Sequence, residues 1–184
     1  MSRHIAMWSC PRSCSSVIAR SFEQLPGCYL LDEPFYGPYL LKHGLNHPGR
    51  QDILDHVEPD YRRVIPKLTG ELPVGPSFTF QKHIARQLLP EFEGDWLGKV
   101  EHFFLIRDLK KIIISYQRIY DEVTLHDIGI RELYNVFQKV GHLTSKTPMI
   151  VLADDLLKNP AQNLKYLCSL LNLKYSETML HWER

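Results

Sequence analysis

The sequence predicts an α/β domain of three layers, a central parallel sheet of about four or five strands with helices on both faces. Three observations lead there. Short apolar runs bounded by turns or charge recur at 4–8, 28–31, 78–82, 102–106 and 149–152. Segments with apolar residues at helical spacing lie between them, the alternation that builds a parallel sheet. The first apolar run feeds directly into a turn of small residues and then an amphipathic stretch at 17–22, the layout of strand, anion-cradling turn and helix.

Taken in order, the run at 4–8 is a strand, and the turn after it is Ser9-Cys10-Pro11-Arg12-Ser13-Cys14-Ser15-Ser16. Pro26-Gly27 reverses the chain into a second strand at 28–31, which ends at Asp32-Glu33-Pro34 because proline stops ladder pairing. Residues 35–76 carry Pro38, Pro48, Pro59, Pro66, Pro73 and Pro76. They read as irregular, lid-like material rather than core, with short helices at 37–43 and 60–68. A third strand at 78–82 leads to a helical piece at 84–89. The run at 102–106 is a buried strand. Asp108 then caps a helix running to about 120. Leu133, Val136, Phe137 and Val140 mark a further helix, 149–152 a last strand, and Leu164, Leu167, Cys168 and Leu171 a helix after Pro160. With no repeats or low-complexity tracts, residues 1–184 read as one domain.

A chain of 184 residues can bury a sizeable core. Its net charge of +1 argues against a general nucleic-acid or membrane-surface role, so basic residues must act locally. The four cysteines have no metal-type spacing and read as reduced thiols of a cytoplasmic protein. The histidines lack ligand spacing, and no metal is expected. No stretch has the h-region of a secretory signal or the roughly 20 apolar residues of a membrane span.

Two constellations carry chemistry. In the turn, small residues 13–16 let backbone N–H groups approach an anion at a helix N-terminus, and Arg12 adds a full charge with a planar fork of donors. The turn lacks the G-x-x-x-x-G-K-[ST] pattern of a triphosphate loop. A plain strand-to-helix turn capped by Ser15 or Ser16 has the same composition. Arg107 stands where the strand at 102–106 ends, the edge at which parallel sheets bind ligands, and Ser115 lies two turns into the next helix on an apolar face. Pairing of Arg107 with Asp108, and a Ser115 bonded to its own helix, is the alternative.

Together, Pro11-Arg12-Ser13-Cys14-Ser15-Ser16 and Arg107 with Ser115-Tyr116 eight and nine positions on resemble the two cofactor motifs of the sulfotransferases that use 3′-phosphoadenosine 5′-phosphosulfate. Residues 149–160, with Asp155-Leu156 ahead of Pro160, resemble the family's late strand and following segment. The resemblance spans 4–173. It implies a fold like that of P-loop nucleotide kinases and sulfuryl transfer to a hydroxyl or amine of a small molecule, with no metal. It also implies that Arg12 and residues Ser13, Cys14, Ser15 and Ser16 cradle the 5′-phosphate, and that Arg107 and Ser115 hold the 3′-phosphate. Two residues compete for general base. Glu33 is similar to the Glu of the Glu-Pro segment in bacterial trehalose-type and heparan-type members. His83 is similar to the His of the Lys-Thr-His segment of cytosolic members, one residue closer to its lysine, with Lys82 placed to assist with sulfonate charge. Phe35, Tyr36, Tyr39 and Phe80 are candidate acceptor-pocket aromatics.

Two departures stand out. Cys14 replaces a common glycine, so the turn is expected to keep it at ordinary negative φ. Cytosolic members continue past the equivalent of Arg184 into a basic, Gly-containing loop, so a shortened or compact version is expected. A non-catalytic nucleotide-binding relative and an atypical P-loop kinase are the rival functions. No nucleic-acid or membrane partner is expected, and a homo-oligomer is compatible with the sequence.

Overall fold

The computed structural model describes residues 2–44 and 50–182. Its strands are β1 (Arg3–Ser9), β2 (Cys28–Asp32), β3 (Phe78–Ile84), β4 (Glu101–Ile106) and β5 (Met149–Leu152), and the helices include α1 (Ser15–Glu23), α2 (Tyr36–His43), α3 (Arg50–His56) and α4 (Tyr61–Thr69). Then follow α5 (Leu109–Gln117), α6 (Leu125–Ile128), α7 (Ile130–Thr144), α8 (Ala153–Lys158) and α9 (Pro160–Leu170). The sheet runs β2-β3-β1-β4-β5, with every pair parallel. This is the expected architecture, including the nucleotide-kinase-like placement of a turn and helix after the central strand.

β1 is central because it can be buried on both faces: every residue from His4 to Ser9 is buried. Alternation along it divides the core. Ile5 and Met7 pack with Ile18 and Phe22 of α1, Phe80, Phe103, and Leu164 and Leu167 of α9. Ala6 and Trp8 pack on the other face with Val64 and Leu68 of α4, Ile112 of α5, and Leu133, Val136 and Val140 of α7. The two apolar layers make the three-layer domain. At the turn into β2, Gly27 has φ +79, and its carbonyl accepts from Ser77 N and Phe78 N at 2.8 and 3.2 Å, which pins the start of β2 against β3.

The described residues of 35–76 are more regular and more buried than the sequence suggests, and Pro48 lies outside them. The helices expected at 37–43 and 60–68 are present as α2 and α4, and α3 is added between them. α4 is core rather than lid: Leu68 is fully buried, and its carbonyl accepts from Gln81 Nε2 of β3 at 2.7 Å. Asp60 starts α4 by accepting from Arg62 N. Prolines argue against regular structure here, yet Pro38 falls in the first turn of α2, where its missing N–H costs no helical bond, and Pro66 is accommodated inside α4. The helical piece expected at 84–89 is a single 3-10 turn, Ala85–Gln87, because Pro90 and Gly94 break the chain into further short turns.

Candidate active site

Parallel pairing sends the C-terminal ends of all five strands to one edge of the sheet, where α/β proteins bind ligands. The candidate residues that follow β1, β2 and β4 all lie there, as does Lys82 near the end of β3. Among the described residues, five non-glycine residues have positive φ, and Arg12, Cys14 and Glu33 are three of them. Backbone strain is thus concentrated at this edge, as it is at many functional sites.

One half of the site comes from β1, β4 and α5. Arg12 (φ 62) and Cys14 (φ 65) flank Ser13, so the turn alternates in hand and its amides converge in the concave arrangement that binds anions. The first backbone bonds of α1 run from Val17 N and Ile18 N to Cys14 O at 3.1 and 3.3 Å. The amides ahead of them are those a helix N-terminus leaves without an internal partner. Ser13 is buried and donates its hydroxyl to Cys10 O, so the side chain braces the turn and leaves its amide for a ligand. Arg107 Nη1 donates to Arg12 O at 2.7 Å, and Arg12 Nε donates to Ser115 Oγ at 3.0 Å. Two motifs about a hundred residues apart therefore meet through direct hydrogen bonds. Arg107 is not paired with Asp108, whose carboxylate instead caps α5 by accepting from Lys110 N at 2.8 Å.

The left-handed φ of Cys14 corrects the expectation of an ordinary one. A glycine suits this position because it has no Cβ to clash; cysteine adopts the same conformation at a cost of about 1–2 kcal/mol. Cys14→Gly is accordingly expected to raise stability by about 0.5–1 kcal/mol, after the extra chain entropy of glycine is subtracted. Urea denaturation checks this, and a lowered midpoint would show that the Cys14 side chain makes contacts worth more than the strain.

The other half comes from β2 and β3. Glu33 follows β2, and its amide donates to Lys82 O at 2.9 Å, which extends the ladder by one residue. Its carboxylate is held from both sides, Oε1 by Lys82 Nζ at 2.6 Å and Oε2 by Gln87 Nε2 at 2.6 Å. Lys82 also donates to Asp32 Oδ1 at 2.7 Å. The lysine is only 3% exposed. Burial presses its pKa down, but Glu33 and Asp32 outweigh that and the value stands raised, so the ammonium stays charged. Asp32 and Gln87, which complete this network, were not singled out in the sequence. Their partners lie 50 and 54 residues away, and neither has a motif of its own.

His83 follows Lys82 toward the same end of β3 but is sealed inside the domain. Its ring stacks on Trp8 at 4.3 Å between centroids and is flanked by Phe35 and Trp96 at 5.8 and 6.1 Å. Ring Nε2–H donates to Gln81 Oε1 at 3.2 Å. Burial first, then the charges of His102 and Lys82, push its pKa down to about 3. A sealed imidazole held neutral in this way has no path to an acceptor proton. It does leave a pH signature. The folded pKa lies below the ordinary 6.5, so the unfolded chain takes up the proton first. Stability is complete above about pH 6.5 and falls as pH drops toward 3, at up to ~1.4 kcal/mol per pH unit for one such group. His4 and His102, also lowered chiefly by burial, add to the slope. Urea midpoints measured from pH 7.5 to 5 should fall, and less steeply for His83→Asn; an equal slope would mean that His83 is protonated in the fold.

Of the candidate pocket aromatics, Phe80 stacks on Phe22 in the layer beneath α1, and Phe35 and Tyr39 are buried. Tyr36 alone is partly exposed. Among the described residues no cluster of three or more His, Cys, Asp or Glu is placed to hold a metal, and no helix is long and apolar enough to cross a membrane.

A family model described as a sulfotransferase domain matches residues 3–184. Branched-chain-amino-acid aminotransferase-like protein 2 of Arabidopsis thaliana is 31% identical over 182 residues, which are 97% of this chain and 32% of that protein. The chain thus spans about a third of the length of the curated relatives it matches. Among solved structures, a sulfotransferase from Alicyclobacillus acidocaldarius superposes with a TM-score of 0.63 at 10% identity, over 100% of this chain and 87% of that one. Mouse sulfotransferase SULT7A1, solved with PAP, superposes with a TM-score of 0.53 at 12% identity, over 97% and 62%. These two likenesses show the fold; the family model, matched over nearly the whole length, shows that the chain belongs to the sulfotransferase domain family.

Proposed function

We propose that the chain binds 3′-phosphoadenosine 5′-phosphosulfate and transfers its sulfuryl group by in-line displacement to a hydroxyl or amine of a small-molecule acceptor, releasing adenosine 3′,5′-bisphosphate. The observation that carries this reading is the meeting of the two halves of a donor cradle, Arg107 on Arg12 O and Arg12 on Ser115, at the same sheet edge as a carboxylate held by a buried lysine. The residues fit a doubly phosphorylated nucleoside. Arg107 Nε is buried without a hydrogen-bond partner, and the alternating turn aims helix N-terminal amides at one point. PAP bound to the SULT7A1 neighbour is in keeping with it.

When bound, the donor supplies an activated sulfuryl group on its 5′-phosphate. The chain contributes alignment and charge. Arg12 and the amides of residues 13–16 stabilise the negative charge that develops on the departing phosphate. Arg107 and Ser115 hold the 3′-phosphate, which sets this donor apart from ordinary adenine nucleotides. Glu33 takes the acceptor's proton as its oxygen or nitrogen attacks. Lys82, fixed between Asp32 and Glu33, orients that carboxylate. We assign the base to Glu33 rather than His83 because only Glu33 is both partly exposed and at the sheet edge.

Calorimetry with adenosine 3′,5′-bisphosphate, AMP and ATP tests the donor. Tight binding of the bisphosphate over the other two is expected, and preference for ATP would replace this reading with that of a kinase. Turnover of labelled donor over a broad acceptor panel tests the transfer. Bisphosphate binding with no turnover would leave a nucleotide-binding protein.

A further inference from the structure

Among the described residues, Arg86 has no carboxylate within hydrogen-bond distance. It follows β3, one residue before the Gln87 that holds Glu33. Its Nη1 donates to the backbone of Asp127 at 3.3 Å. The carboxylate that comes nearest among its ion pairs, Asp127 Oδ1, is 3.9 Å away. That carboxylate is already engaged, because its Oδ2 accepts from Thr124 N and Thr124 Oγ1 at 2.9 and 2.7 Å in the capping box of α6. Arg86 Nε is buried with no hydrogen-bond partner. The guanidinium is only a quarter exposed, so its charge is partly desolvated and weakly balanced.

Two tyrosines lie near it. Tyr116 donates its hydroxyl to the same Asp127 carbonyl at 2.7 Å, with the Tyr120 ring 6.1 Å from its own. Tyr36 lies within electrostatic reach of both Glu33 and Arg86, and Tyr116 within reach of both Arg86 and Arg12. Arg86 thus shares one tyrosine neighbour with the proposed base and another with Arg12. Gly129 permits this placement, since a Cβ there would stand 3.2 Å from Arg86 Cβ.

We propose that Arg86 determines specificity by binding an anionic group of the acceptor, a carboxylate or its like, and so turns the acceptor's hydroxyl or amine toward Glu33. This rests on the transfer reaction proposed above. A planar guanidinium whose donors lack a matched carboxylate is suited to a planar anion through two parallel charge-assisted hydrogen bonds. Tyrosine rings beside it would cover the apolar body of such an acceptor.

The test uses matched pairs of small phenolic acceptors, each a free carboxylate and its methyl ester, on the wild type, Arg86→Met and Arg86→Lys. Thermal melts confirm that each variant folds. In the wild type kcat/KM should favour the carboxylate at least about tenfold, chiefly through KM. Arg86→Met should abolish the preference, and Arg86→Lys, which keeps the charge but not the fork, should retain part of it. Equal use of both members by the wild type, or a preference unaltered in Arg86→Met, would overturn the role of Arg86 while leaving sulfuryl transfer intact. Should no acceptor turn over, calorimetry of the same pairs on the protein saturated with adenosine 3′,5′-bisphosphate reads the preference directly. Failure to bind the bisphosphate at all would remove the transfer reaction, and this inference with it.

Discussion

Glu33→Gln is expected to lower kcat for sulfuryl transfer by about 10²–10⁴-fold, the range for loss of a general base. Affinity for adenosine 3′,5′-bisphosphate should stay within about twofold, because Glu33 touches neither half of the donor cradle. Glutamine is the informative substitution. Its amide oxygen can still accept from Lys82, and Gln87 can rotate its own amide to accept where it donated before. The network of Lys82, Asp32 and residue 33 therefore survives with its geometry while the proton acceptor is lost. Steady-state kinetics with labelled donor and calorimetry with the bisphosphate check the two halves of the expectation. A fall in kcat of less than about fivefold would place the base elsewhere. Equal losses in rate and bisphosphate affinity would make Glu33 a structural residue.

Arg107→Ala should weaken binding of adenosine 3′,5′-bisphosphate by about 10–150-fold, the equivalent of one hydrogen bond to a charged group. AMP should lose only a few-fold. That smaller loss has its own cause. Arg107 also braces the turn by donating to Arg12 O, and without it the left-handed Arg12 is less firmly held. The difference between the two nucleotides isolates the 3′-phosphate. Equal losses would mean that Arg107 is a strut for the turn and nothing more.

The fold could be read from the sequence because every strand carries a short apolar run, although only β1 and β3 are buried along nearly their whole length and the edge strands β2 and β5 are partly exposed. The meeting of the two proposed donor motifs was readable for a related reason. Residues 11–16 are contiguous, and Arg107 and Ser115 are linked by a short stretch of strand end and helix, so local spacing already carries their geometry. The acceptor half depends on register. Lys82 and His83 are neighbours in the sequence, but strand alternation sends them to opposite faces. Lys82 reaches Asp32 and Glu33, while His83 enters the aromatic layer between Trp8 and Phe35. Nothing local distinguishes the two. The contacts of Gln87 with Glu33 and of Arg86 with Asp127 arise only once β2, β3 and the chain leading into α7 are assembled. Short helices such as α3 and α6 lack the length for a helical period to register. The positive φ of Cys14 was hidden because cysteine does not announce a left-handed turn as glycine does.

The strand order β2-β3-β1-β4-β5 places a seam through the proposed site. Donor-side residues follow β1 and β4 or lie on α5, and acceptor-side residues follow β2 or come from β3 and the turn after it. The sheet joins the halves, but few residues belong to both. Such a layout lets acceptor choice be rewritten by exchanging the segments that follow β2 and β3, with the donor chemistry left in place. One scaffold could in this way supply a series of sulfotransferases that share a donor and differ in what they decorate.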